Sequence, residues 1–203
     1  FSVRDTGLEP SKSGVVGLLA AALGRPRDAD MADLAGLRMA VRVDVEGRLR
    51  YDYHTAQNIL KAGGGLKDTE PSRRYYLADA RFLVGMASTD FALLRRLDAA
   101  LLAPIWPLFL GRKAFVPGEP IRLSDGLRPD VDLMSTLASY RWLGSNGKPP
   151  ELVRLVSETH EGTEVRLDQP LSFAERRFAP RRVMTTFLPT AGFQEPALHE
   201  EAA

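Results

Sequence analysis

The sequence predicts an α+β fold on the ferredoxin-like plan. A helical apolar run comes first, two stretches of alternating apolar and polar residues follow, and a second helical repeat comes after them. At 203 residues, of which 44% are hydrophobic, the chain is long enough to bury a core without a metal or a crosslink. Cysteine is absent, which excludes disulfides, thiolate metal sites and a cysteine nucleophile.

The first helix is predicted within 10–28. Ser13 is its expected N-cap, small and branched apolar residues fill its length, and Gly24 and Pro26 end it. Almost no polar stripe remains, so we expect other elements to cover most of its surface. The ferredoxin-like plan also has a strand before this helix. Because the sequence opens at Phe1 without an initiator methionine, we predict that this first strand is missing from the given sequence.

Two strands joined by a tight turn are predicted next. Apolar and polar residues alternate over 39–45 and again over 49–54, and Gly47 interrupts the pattern between them. The first strand is expected to be half-buried, with Arg42 and Asp44 on its polar side.

A flexible arm is predicted to leave this hairpin. The stretch 55–72 contains three consecutive glycines and few large apolar residues, which is typical of an excursion from a scaffold. We treat this arm as an insertion at about 55–74. The alternation then resumes over 76–84, which is the strongest strand pattern in the chain.

The second half of the chain is predicted to hold one more long helix and short strands. Apolar residues repeat at helical spacing within 89–104, and a helical turn or two is expected within 131–142. The predicted strands are 152–157, 163–167 and 183–188. We therefore divide the chain into a domain at 1–123, which carries the arm, and a C-terminal extension at 124–203 with a frayed tail.

The charge balance limits how the chain can bind a polyanion. It has 27 Lys and Arg against 26 Asp and Glu, a net charge of +1, so binding by bulk charge is excluded and a local patch is required. The longest apolar run, 15–23, is far shorter than a membrane span. We expect a cytoplasmic protein with no membrane partner.

Motifs for phosphate, metal or acid–base chemistry are weak. Ser11, Lys12 and Ser13 precede the first helix without the glycines of a nucleotide-binding loop, so a plain helix cap with an exposed Lys12 and a contact to a phosphate backbone both remain open. Asp130 and Asp132 are expected to be solvated surface acids. No metal-type spacing links the histidines, so we predict no metal and no other cofactor. The histidines are His54, His160 and His199.

Basic residues beside aromatic ones form the strongest candidate site. In recognition of single-stranded RNA, cationic groups hold phosphates and aromatic rings stack on bases. A solvated strand face with core tyrosines is an equal alternative for each cluster taken alone. The clusters are Arg73, Arg74, Tyr75 and Tyr76; Arg112 and Lys113; and Arg176, Arg177, Arg181 and Arg182.

Four motifs in order resemble one protein family. The helix segment PSKSGVVGLLAAALGRPRD at 10–28, YDYHT at 51–55, RYYLADA at 74–80 and LGRK at 110–113 are similar to segments of the CasD-type subunit of type I-E CRISPR Cascade, a Cas5 family member. A weaker similarity covers 170–187. Motifs in a shared order are far more specific than any single one.

This resemblance implies both a fold and a role. It implies an RRM-like domain with a protruding β-hairpin thumb, which corresponds to the arm at about 55–74. It also implies a noncatalytic subunit that grips the 5′ handle of the CRISPR RNA and caps one end of the Cascade backbone. Its partners would be that RNA, the CasC-type backbone subunit, the CasA-type large subunit and, indirectly, target DNA. Guide pairing would read the sequence while the protein holds backbone and shape.

Carried onto this sequence, the resemblance predicts a set of RNA-binding residues. Lys12 and Ser13 match the first-helix motif, His54 matches the motif at the thumb base, and Arg112 and Lys113 match the basic loop. Position and charge add the arm lysines and the arginines where the arm rejoins the sheet. These additions are Lys61, Lys67, Arg73 and Arg74.

Two other functions remain open. Type I-C relatives of this family process CRISPR repeats, and here Tyr53, His54 and Lys61 would be the candidates for metal-independent RNA cleavage by general acid and base. A scaffold that binds only proteins is the third possibility, and it would show no salt-dependent RNA affinity.

Overall fold

Two sheets and a small set of helices make up the part of the chain that the structure describes. The computed structural model describes residues 3–61, 63–145 and 147–194. The helices are α1 (Lys12–Ala22), α2 (Ala32–Ala35), α3 (Phe91–Leu102) and α4 (Leu133–Ser139). The strands are β1 (Val3–Arg4), β2 (Arg38–Val45), β3 (Arg48–Leu60), β4 (Leu66–Ala78), β5 (Arg81–Ala87), β6 (Leu152–Glu158), β7 (Glu164–Ser172) and β8 (Arg177–Pro189).

The larger sheet has five antiparallel strands in the order β5-β2-β6-β8-β7. Helices α1 and α2 pack on one face, where Leu19 and Leu34 share a core cluster with Leu97 of α3. Helix α4 packs on the other face, where Leu137 contacts a cluster that includes Leu155. The mixed α+β class is confirmed, and β6–β8 extend the same sheet as β2 and do not form one of their own.

Strand β2 is buried on both faces, so the prediction of a half-buried strand is wrong. Arg42 and Asp44, expected on a polar side, lie beneath α4 with fully buried side chains. The Arg42 guanidinium donates to both Asp44 carboxylate oxygens, at 2.6 and 2.8 Å, and to the carbonyl oxygens of Leu137, Tyr140 and Arg141. A buried charge is tolerated when it is paired and hydrogen-bonded in this way.

The smaller sheet is built from a long hairpin. Strands β3 and β4 pair antiparallel from Arg48–Ala78 out to Leu60–Leu66, and β1 pairs parallel to β4 on its other side. The predicted loss of order over 55–72 is therefore wrong, because the cross-strand hydrogen bonds continue to the tip. The thumb is a β-hairpin, as expected, and it spans 48–78.

The alternating run 76–84, predicted as one strand, is divided between the two sheets. Asp79 has a left-handed backbone, with φ 58°, which ends β4 at Ala78 before β5 begins at Arg81. Gly47 also has positive φ, 75°, and a Cβ there would meet the Ala78 carbonyl oxygen at 2.7 Å. The two turns lie against each other, so the chain can leave the large sheet and return to it at one point.

The remaining elements mostly follow the sequence. Helices α3 and α4 and the three C-terminal strands lie where they were predicted, although β7 and β8 are longer. Strand β1 precedes α1 but pairs with β4, so it is not the first strand of the larger sheet, and β5 has no partner on its outer side among the described residues. Of the predicted frayed tail, 190–192 form a 3-10 turn and 195–203 lie outside the described residues. No described helix has the length and apolar character needed to cross a membrane.

Candidate nucleic-acid interface

The hairpin presents two chemically different faces. Because side chains alternate along a strand and cross-strand partners point to the same side, the register assigns each residue to a face. The arginine face carries Arg4, Arg48, Arg50, Asp52, His54, Arg74 and Tyr76. The tyrosine face carries Val3, Leu49, Tyr51, Tyr53, Arg73, Tyr75 and Leu77.

The loop after α3 adds a guanidinium to the arginine face. Gly111, with φ 82°, turns the chain so that the Leu110 amide donates to the Phe115 carbonyl oxygen at 2.7 Å. Arg112 then donates to the carbonyl oxygens of Tyr75 at 2.9 Å, Arg4 at 3.3 Å and Asp5 at 3.2 Å. These bonds hold the loop, β1 and β4 together, so Arg112 has a structural role as well as a charge.

Three arginines of this face lie close enough to repel one another. Burial of the Arg112 guanidinium, together with the positive charges of Arg4 and Arg74, lowers the pKa of Arg112, while Asp52 acts in the opposite direction. The buried Nε of Arg74 has no hydrogen-bond partner. The cluster is therefore a place where positive charge is concentrated and only partly offset.

Ion pairing differs sharply between the two sheets. In the larger sheet, Arg154 is bound by Glu9 at 2.6 Å and by Glu46 at 2.9 Å, and Arg181 is bound by Asp168 at 2.6 Å. By contrast, a set of cations on and beside the hairpin base forms no ion pair with any carboxylate in the described part of the chain. That set is Arg4, Arg48, Arg50, Arg73, Arg74, Arg112 and Lys113.

The structure gives Lys12 a different partner from the phosphate predicted at the start of α1. The Lys12 side chain is buried, and its Nζ lies 2.9 and 3.0 Å from the two carboxylate oxygens of Glu158. The Lys12 amide donates to Asp168 at 2.8 Å, and Ser11 is the N-cap in place of Ser13, accepting from the Gly14 amide at 3.1 Å. Asp168 and the Ser11 cap already bind the free amides of this helix end. The other possibility, an exposed Lys12, is wrong, because the side chain is buried.

The predicted arm residues are spread along the hairpin. His54 is half-buried on the arginine face, opposite Ser72, whose hydroxyl donates to the His54 carbonyl oxygen. Lys61 is exposed at the tip, and Lys67 is paired with Glu70. These two lysines lie well away from the arginine cluster.

The candidates for RNA cleavage are not brought together. Tyr53 and His54 are consecutive on β3 and so point to opposite faces. Lys61 follows seven residues after His54, a distance of about 23 Å along an extended strand. The three side chains therefore do not converge on one site in this structure.

Two other expectations concern surface acids and metal ligands. Asp130 and Asp132 are exposed, as predicted, and Asp132 also caps α4 by accepting from the Ser135 amide at 2.9 Å. Among the residues that the structure describes, no group of His, Asp and Glu is arranged to hold a metal ion. His199 lies outside those residues.

Sequence reasoning missed a second cationic feature beside the cluster. A pocket of about 610 Å³ is lined by Val3, Arg4, Asp5, Arg27, Arg176 and Phe178. Of the predicted C-terminal basic cluster, only Arg176 lines it, because Arg181 is buried against Asp168, Arg177 pairs with Glu175 and Arg182 donates to the Gly162 carbonyl oxygen. The sequence shows that Arg176 is a basic residue near a turn. No feature of the neighbouring sequence indicates that it lies close to Arg4 in the fold.

The comparison with known families decides the identity. A family model described as CRISPR-associated protein (Cas_Cas5) matches residues 1–184. This chain belongs to the Cas5 family. The resemblance inferred from four sequence motifs is thereby confirmed.

Similar proteins agree with this assignment. The Cas5 chain is 33% identical over 196 residues to the CRISPR system Cascade subunit CasD of Escherichia coli (strain K12), covering 88% of this chain and 84% of that protein. A solved structure titled "Crystal structure of Cas protein" has a TM-score of 0.79 at 45% identity, covering 95% of this chain and 88% of the other. A chain of a "CRISPR RNA-guided surveillance complex" has a TM-score of 0.76 at 30% identity, covering 98% and 87%.

Proposed function

We propose that this Cas5 chain is a noncatalytic CRISPR RNA-binding subunit of a cytoplasmic Cascade surveillance complex, where it grips the 5′ handle of the guide and caps the backbone filament. The observation that carries the proposal is the cluster of Arg4, Arg74 and Arg112 on the arginine face, whose positive charge is only partly offset by Asp52. Arg48 and Arg50 extend it along β3.

A phosphate backbone suits this cluster on physical grounds. Like charges held together cost free energy, and a bound polyanion removes that cost while releasing its own counterions. Arg112 is fixed by three carbonyl oxygens, so little side-chain freedom is lost when an anion binds. The arginine face is therefore prepared for backbone contacts, which position a strand without reading its sequence.

The names of similar proteins support the assembly role. The relative from Escherichia coli is named as a Cascade subunit, and one structural neighbour belongs to an RNA-guided surveillance complex. By this analogy the partners of the chain are the guide RNA, the CasC-type backbone subunit and the CasA-type large subunit, with target DNA bound indirectly.

We also infer that the larger sheet is RRM-like. The order α1, β2, hairpin, β5, α3 matches the helix, strand, strand, helix core of the ferredoxin-like plan, with the thumb inserted between two adjacent strands. In that plan a further strand lies beside β5. Strand β5 has no partner on that side among the described residues, and its Val84 lines an open cavity together with Leu94 of α3.

The proposal is tested by the salt dependence of RNA affinity. Arg74→Ala and Arg4→Ala are each titrated against a labelled 5′-handle RNA at several salt concentrations, with Arg95→Ala, an exposed arginine on α3, as the matched control. Each lost phosphate contact should lower the slope of log affinity against log salt by about 0.7 for single-stranded RNA. Slopes equal to that of the unmodified chain would remove the arginine face from the RNA site.

A further inference from the structure

The tyrosine face of the hairpin exposes large side chains to solvent. Leu49, Tyr51 and Tyr53 are 59%, 57% and 60% exposed, and Val3 beside them is also exposed. Single exposed apolar residues are common, but a contiguous group on one sheet face marks an interaction surface. The strand that pairs with β4 on its other side, β1, lies along the edge of the sheet and leaves these side chains exposed.

The two faces of the hairpin differ in the charged side chains that they carry. In the paired stretches 49–57 and 69–77, both carboxylates, Asp52 and Glu70, point to the arginine face. The tyrosine face keeps one charge, Arg73, whose guanidinium lies 5.9 Å from the centre of the Tyr51 ring. A surface of aromatic rings and a cation with no acid is complementary to an anionic, aromatic ligand.

The spacing of the rings suits successive bases. Tyr51 and Tyr53 are two residues apart on β3, about 6.7 Å along the strand. The Tyr75 ring on β4 lies 5.8 Å from that of Tyr51. Aromatic side chains on adjacent strands of a sheet are the arrangement on which unpaired RNA bases stack.

We propose that Tyr51, Tyr53 and Tyr75 form a stacking platform for unpaired bases of the RNA whose phosphates the arginine face holds. Strand β3 is at the edge of the three-stranded sheet, so one RNA strand that passes this edge can reach both faces. This inference rests on the proposed function and extends it, since it assigns base contacts to residues that the phosphate site does not use.

The test compares two replacements at each exposed ring. Tyr51→Leu and Tyr53→Leu remove the aromatic ring, while Tyr51→Phe and Tyr53→Phe keep it and serve as matched controls. We expect each leucine variant of the full-length chain to lose about 5- to 100-fold in affinity for the 5′-handle RNA, while the phenylalanine variants bind as the unmodified chain does. A handle RNA with abasic sites should bind the leucine variant and the unmodified chain equally.

The outcomes separate this inference from the proposed function. If the leucine variants bind normally while Arg74→Ala still reduces the salt slope, the platform is refuted and the phosphate site stands. If they bind RNA normally but lose a neighbouring Cascade subunit on purification, the face docks protein and the platform is again refuted. If no variant and not even the unmodified chain binds handle RNA, the proposed function itself fails.

Discussion

Replacing Lys12 with methionine tests whether the start of α1 supports the fold or binds RNA. Lys12→Met removes the ammonium group and keeps most of the apolar stem. In the structure this ammonium lies 2.9 Å from Glu158, and the two side chains are 1% and 22% exposed. The substitution therefore leaves the carboxylate of Glu158 in a largely buried position without its main cation.

The expected cost follows from this geometry. Breaking a fully buried ion pair costs about 3–5 kcal/mol. Glu158 is partly solvated, still accepts from the Met39 amide at 3.3 Å, and has an Arg181 nitrogen 4.0 Å away. We therefore expect a loss of about 2–3 kcal/mol in the free energy of unfolding. RNA affinity and its salt slope should not change.

Urea denaturation at pH 7 measures the free energy of unfolding, and titration with handle RNA at several salt concentrations measures the affinity and its salt slope. The double variant Lys12→Met, Glu158→Gln should recover part of the lost stability, because no unpaired charge is then buried. A stability change below about 0.5 kcal/mol, accompanied by weaker RNA binding with a smaller salt slope, would refute the reasoning and restore Lys12 as a phosphate ligand.

Three further predictions concern pH, cleavage and the small pocket. Burial raises the pKa of Asp168, but hydrogen bonds and nearby cations outweigh burial and hold that pKa below the ordinary value. The ionised carboxylate therefore stabilises the fold above about pH 4, and this contribution is lost on further acidification. In urea titrations, the loss in free energy of unfolding caused by Asp168→Asn should accordingly become smaller below about pH 4. His54→Ala should leave processing of labelled repeat RNA unchanged, and lost cleavage would show a catalytic role. Arg27→Ala combined with Arg176→Ala should weaken handle binding, whereas Arg177→Ala, which removes an arginine already paired with a carboxylate, should not.

Sequence patterns predicted elements well and burial less well. Periodicity located β2, yet it placed Arg42 and Asp44 in solvent, because alternation cannot reveal that α4 returns from residue 133 to cover that side. Composition suggested a loose arm at 55–72, but the small and polar residues there belong to two paired strands that are largely exposed. Strands of this kind lack the apolar face whose alternation reveals a strand in a sequence.

Site residues could be predicted where their sequence neighbours mark them, and could not be predicted where only the fold brings them together. Arg74 and Arg112 were found because each adjoins an aromatic residue or a glycine turn. Arg4 had no such signal, and its place beside Arg74 depends on the parallel pairing of β1 with β4. Lys12 shows the reverse case, since a lysine at a helix start matches a phosphate site until Glu158, 146 residues away, is placed beside it.

A net charge of +1 and a cationic surface are compatible because the fold distributes its acids unevenly. Arg42, Arg154 and Arg181 in the larger sheet are bound by carboxylates, which removes their charge from the surface field. On the hairpin, Lys67 binds Glu70, and Asp52 lies opposite Arg74 on the arginine face. In the described part of the chain, Arg4, Arg74 and Arg112 of the arginine face are thereby left without an ion pair, next to the pocket that Arg27 and Arg176 line. Guide RNA bound there would be held by a local cluster of charge, so a net charge near zero is no obstacle to binding a polyanion.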